Sequence, residues 1–101
     1  MRKNNKSAEE IREIVARLES VVNELKEIGC FGSIRMNETT VDGEERPIQL
    51  LIRNENMPEG KARYEKSGLK SYHDIIKIVK IDNVEFIDYL SKKEAEEELF
   101  A

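Results

Sequence analysis

Cys30 and His73 are the only cysteine and histidine in the chain, so they are the one thiol–imidazole pair that could serve as nucleophile and base. Nothing in the local sequence places them together, and two such residues are too few to build a zinc site. Carboxylates are abundant, but no spacing singles out an acid/base couple. The acidic positions near Asp82 and Asp88 lack the Asp-x-Asp-x-Asp-Gly pattern of a calcium loop. Five glycines are scattered without Gly-x-Gly or Gly-Lys-Ser/Thr, so no phosphate loop is written here. Asn37-Glu38-Thr39 matches a glycosylation sequon, which without a signal peptide reads as a chance match. The expectation is a protein that is not an enzyme, with no catalytic residue, no cofactor and no metal.

Charge is more informative. From Arg53 to Ile81 there are seven basic residues against four acidic, a local net of +3. From Asp82 to the end there are seven acidic against two basic, a local net of −5. Within the basic stretch, Tyr64 and Tyr72 interleave with Lys61, Arg63, Lys66 and Lys70. In a mobile segment, cations that track phosphates and rings that stack on bases would suit single-stranded nucleic acid. The same residues also suit a protein contact, or a plain solvated loop anchored by its tyrosines. Near the C-terminus Glu94, Glu96, Glu97 and Glu98 form a carboxylate surface. Such a surface can enter a basic nucleic-acid channel of another protein, or serve solubility alone.

The whole chain bounds these readings. It has 101 residues, room for one domain, with a formal net charge of −4 and a sequence pI near 5.2. That excludes a uniformly basic nucleic-acid binder. No apolar run exceeds three residues, Leu50-Leu51-Ile52 among them, far below the roughly 18 that cross a bilayer. A single cysteine and no apolar leader after Met1-Arg2-Lys3 give the expectation of a cytoplasmic protein.

The elements that must position these groups follow from periodicity. Residues 1–6 read as a flexible tail. Residues 7–28 read as a helix, with Ile11, Ile14, Val15, Leu18, Val21, Val22, Leu25 and Ile28 on one face. Ser7 with Glu10 forms a capping box, Gly29 is placed to end the helix, and Glu13 and Arg17 are spaced for an ion pair. The stripe also fits three heptads, with Ile11, Leu18 and Leu25 at one core position and Ile14, Val21 and Ile28 at the other. It therefore suits either a core helix on a sheet or a coiled-coil surface.

Residues 31–53 read as a hairpin. A three-residue loop, Val41 to Gly43, sets Ile34 opposite Leu50 and Met36 opposite Ile48. Pro47 lacks an N–H, so it marks an edge strand or the strand's first residue. Residues 54–72 connect, either with a short helix around Pro58 to Lys66 or as an exposed functional loop. Residues 75–90 read as a second hairpin turning at Asp82-Asn83, which matches Lys80 with Glu85 and Lys77 with Asp88. A helix over Tyr72 to Val79 is the competitor, and the β-branched run from Ile75 to Ile81 favours strands. Ser91 and Glu94 form another capping box, opening a helix over 91–99.

The expected fold is one α+β domain over 7–101. Two hairpins make a four-stranded antiparallel sheet, the long N-terminal helix packs on one face, and a short C-terminal helix follows. The second hairpin is apolar on both faces, so the C-terminal helix or a second copy must cover the other side. The expected function is a small acidic protein-binding module. Its most concrete form is an inhibitor or accessory protein acting on a larger nucleic-acid-processing enzyme. In size and acidity the chain is similar to small phage and mobile-element inhibitors, anti-CRISPR proteins among them, with no motif in common. The alternative is a nucleic-acid-binding domain using residues 61–72. The candidate contact residues are Lys61, Arg63, Tyr64, Lys66, Lys70, Tyr72, Glu94, Glu96, Glu97 and Glu98. The expected partner is another protein, with nucleic acid second, no membrane, and a homodimer as an option.

Overall fold

The structure is a computed structural model and describes residues 4–36, 38–39, 41–68 and 72–99. Helix α1 spans Ala8–Glu27. Its start is the expected capping box: the Glu10 amide donates to Ser7 Oγ at 3.2 Å, and the Ser7 amide donates to the Glu10 carboxylate at 3.4 Å. Gly29 follows the helix with φ +102. The Glu13–Arg17 pair does not form; among the described residues Arg17 has no ion-pair partner.

Strands β1 (Cys30–Arg35), β4 (Ile48–Ile52), β5 (Ala62–Lys66), β6 (Ile75–Ile81) and β7 (Val84–Leu90) form one sheet in the order β1-β4-β7-β6-β5. Strands β2 (Glu38–Thr39) and β3 (Glu45–Arg46) make a separate two-stranded tip on the first hairpin. Helix α2 (Lys92–Leu99) closes the chain. The expected four antiparallel strands are therefore five, and the sheet is mixed, because β4 and β7 run parallel. The short helix expected around Pro58 to Lys66 is absent: Ala62–Lys66 is edge strand β5, after a single 3-10 turn at Asn54–Asn56.

The second hairpin has the register expected of it. Ile81 faces Val84, Lys80 faces Glu85, Val79 faces Phe86 and Lys77 faces Asp88. The first hairpin keeps its expected register only near the tip, where Arg35 faces Gln49 and Glu38 faces Arg46. Two bulges then shift the ladder, so Ser33 rather than Ile34 lies opposite Leu50. A bulge inserts a residue on one strand and swaps the faces beyond it. Ile34, the residue the bulge leaves without a partner in the ladder, is exposed, and so is Met36. Pro47 lies between β3 and β4, where a missing N–H costs no ladder bond.

The register divides the sheet's side chains between two faces. One face carries Ile48, Leu50, Ile52, Tyr64, Ile75, Lys77, Val79, Phe86, Asp88 and Leu90. Its core cluster of Cys30, Leu50, Ile52 and Phe86 is packed by Leu25 from α1 and Met57 from the connector. The connector crosses this face to carry the chain from β4 to β5. Gly60 lies so close to β6 that a Cβ there would come within 3.2 Å of Val79 Cγ1. Helix α2 lies on the same face, where its Glu98 bonds Tyr64 and Lys77.

The expectation that α1 packs on the sheet is met only at its C-terminal end, where Leu25 reaches the core cluster. Every residue from Ala8 to Val21 is exposed, and only Val22 and Leu25 within α1 are half-buried. The Cα radius of gyration is 16.7 Å and the long axis 53 Å, against about 13 Å for a compact domain of this length. A 20-residue helix about 30 Å long, standing off the sheet, accounts for the elongation.

Candidate functional site

The residues singled out from charge do not form one open surface. Successive residues of a strand point to opposite faces, so Arg63 and Tyr64 of β5 are turned to opposite sides. Arg63 reaches across β6 to Glu85 on β7, with Nη2 to Oε2 at 3.1 Å, and also pairs with Glu65 at 2.8 Å. Glu85 is only 5% exposed, and its other oxygen accepts from Gln49 Nε2 at 2.8 Å. A buried carboxylate must be paired in this way. The Arg63 stem meanwhile lies over the middle of the sheet, where cross-strand neighbours Ile78 and Ile87 are buried.

On the α2 face, the Tyr64 hydroxyl donates to Glu98 Oε2 at 2.7 Å. Lys77 Nζ lies 2.9 Å from the same oxygen and donates to Asn54 Oδ1 at 2.8 Å. The Asn54 side-chain amide donates to Glu98 Oε1, and its backbone amide donates to Asp88 Oδ2 at 2.7 Å. Burial, the bond to Glu98 and the charge of Glu98 push the Tyr64 hydroxyl up to about 12. Burial works against the charged form of Glu98, but bonds from Asn54, Tyr64 and Lys77, with the Lys77 charge, hold its carboxyl below the ordinary range. The basic stretch and the acidic helix thus partly neutralise each other.

The other candidates are scattered. Glu94 caps α2: it accepts from the Ser91 amide at 3.1 Å, and its own amide donates to Ser91 Oγ at 3.1 Å. The Ser91 bonds lower its carboxyl, and His73 Nε2 lies 3.6 Å away. Glu96, Glu97, Lys61 and Lys66 are exposed. Tyr72 is also exposed and meets His73 edge-on with ring centroids 5.0 Å apart. Lys70 lies outside the described residues.

Cys30 and His73 are not brought together. Cys30 sits on edge strand β1, whereas His73 precedes β6, three strands across, a lateral separation alone of about 14 Å at the usual strand spacing. Burial pushes the Cys30 thiol up, away from the reactive thiolate. Among the described residues no cluster of His, Cys, Asp and Glu is arranged to hold a metal, and no helix is long and apolar enough to cross a membrane.

Among the described residues, the α1 stripe finds no covering partner inside the chain. Ile11, Ile14, Val15, Leu18, Val21 and Ile28 remain 38–51% exposed. At its C-terminal end the stripe runs into an apolar groove of about 270 Å³ between α1 and β1. Val22, Leu25, Cys30, Phe31, Met36 and Leu50 line it. The heptad spacing of this stripe was legible in the sequence; that the sheet would leave it uncovered was not. No family model, no curated protein and no solved structure matches this chain.

Proposed function

We propose that this protein is a non-enzymatic protein-binding module whose contact element is helix α1. One observation carries the reading: a helix of 20 residues exposes an apolar stripe along its length, with no residue buried in its own domain. A contiguous exposed apolar patch of that size marks an interaction site in a folded protein. A helix presenting such a stripe is read through its i, i+3, i+4 and i+7 anchors.

The narrower reading, an acidic inhibitor or accessory protein acting on a nucleic-acid-processing enzyme, keeps support from exposed Glu96 and Glu97. It loses Glu98, which is turned onto Tyr64 and Lys77. The nucleic-acid alternative has less support, because Arg63 and Tyr64 are occupied by Glu85 and Glu98.

The test is the Ile14→Glu/Leu18→Glu double variant. Both positions are exposed, so the sheet should keep its thermal transition while the chain loses its complexes in cross-linking and light scattering. Complexes that persist unchanged would overturn the proposal.

A further inference from the structure

The occupant of the α1 stripe can be read from the helix itself. The apolar positions of the stripe can stack on a copy of themselves in either direction, but the charges beside it find partners in one orientation only. In a parallel pair, the flanking charges of the three-heptad reading meet no charge: Glu10 faces Val15, Arg17 faces Val22 and Glu24 faces Gly29 across the seam. In an antiparallel pair the six core positions match without remainder. Ile11 then meets Ile28, Ile14 meets Leu25 and Leu18 meets Val21, each layer occurring twice. Val15 then flanks Val22 on one side, and Arg17 flanks Glu24 on the other. Neither Arg17 nor Glu24 has an ion-pair partner among the described residues. Antiparallel pairing supplies both.

We infer that the partner is a second copy of this chain, joined through α1 in an antiparallel two-helix seam with its two-fold axis level with Glu19 and Ser20. This rests on the reading of α1 as the contact element and names its occupant. The symmetry is closed, with the same patch used by both copies. The area is adequate. The exposed stripe offers roughly 500 Å² of apolar surface per chain, or about 1,000 Å² for the pair, which reaches the threshold of a specific interface. Ile11 of one copy lies against Ile28 of the other, so the first turn of each helix runs on toward the partner's groove between α1 and β1. That groove is apolar, lined by Val22, Leu25 and Phe31 among others.

The test starts with light scattering on the full chain. At about 100 µM it should be a dimer, and Leu18→Glu should make it a monomer with an unchanged sheet. Arg17→Glu or Glu24→Arg alone should weaken the dimer by about tenfold, and the double swap should restore it. A spin label at Glu9→Cys in the Cys30→Ser background should give a separation of about 30 Å, since Glu9 would stand some 21 residues of helix from its copy. A separation near 10–15 Å would mean a parallel pair and overturn the inference, as would a double swap that fails to restore. A monomer at that concentration would also overturn it. The reading of α1 as a contact element would then survive only if Leu18→Glu still abolished complexes with another protein.

Discussion

Glu98→Ala tests how the C-terminal helix is held. Helix α2 has little apolar anchorage: Ala95 is its one buried residue among those described, and Leu99 is 56% exposed. Its attachment runs instead through the Glu98 carboxylate, which accepts from Tyr64, Lys77 and Asn54. A hydrogen bond to a charged group contributes about 1.5–3 kcal/mol. The three are not additive, since Lys77 and Asn54 keep their mutual bond at 2.8 Å. The expected cost is about 2–3 kcal/mol. It should fall on α2 rather than on the whole sheet, because a segment with few buried contacts opens locally. Hydrogen exchange reads this directly: amides of Lys92–Leu99 should lose about 30- to 150-fold of protection, with β6 and β7 little changed. Tyr64→Phe should cost about 1 kcal/mol, and its effect should largely vanish in the Glu98→Ala background. Unchanged protection in α2 would refute the assignment, as would full additivity of the two substitutions.

Two further outcomes follow from the polar networks. The Glu98 and Glu94 carboxyls lie below their ordinary values. They stabilise the fold above the unfolded carboxylate range near 4.5, and that contribution is lost as pH falls through their lower folded values. Tyr64 is displaced the other way, from 10 to about 12, so its contribution is complete below pH 10 and is lost as pH rises toward 12. The displacement corresponds to at most about 2.7 kcal/mol, and partial solvent screening reduces this to about 1–2 kcal/mol. Exchange protection of α2 measured against pH should therefore fall at both ends, and Tyr64→Phe should remove only the alkaline limb. Separately, Arg63→Met keeps the stem over the sheet but leaves the buried Glu85 carboxylate without its cation. It should lower the melting temperature by about 5–12 °C, and Arg63→Met/Glu85→Leu should recover most of that loss. A melting temperature within a degree of the parent after Arg63→Met would count against the clamp.

The sequence by itself determined the elements whose signals are local. Ser7 with Glu10, and Ser91 with Glu94, satisfy helix ends within four residues of chain, and both caps form where the spacing places them. The β6–β7 hairpin was legible because a two-residue turn fixes its register and opposite charges then fall opposite each other. Strand β5 was not legible. Ala62-Arg63-Tyr64-Glu65-Lys66 alternates only weakly, with Ala62 and Tyr64 its two apolar residues, and it is tied down by polar bonds to Glu85 and Glu98, far along the chain. The parallel pairing of β4 with β7 was equally hidden. It joins Ile48 to Val84 through contacts that no local pattern encodes, and it follows from the connector crossing the sheet at Gly60.

The candidate site divides along the same line. The stripe on α1 was visible as spacing, and its heptad fit was already present in the residue types. Whether that stripe is core or surface is a question of what the sheet has left to cover it with. The connector and α2 occupy the sheet face on which Leu25 packs, so α1 meets the sheet only through its last turns. The signals that start and stop a helix lie a few residues apart in the chain. Burial is decided by competition among distant segments for the same apolar face, and only the tertiary structure shows that α1 is left standing outside.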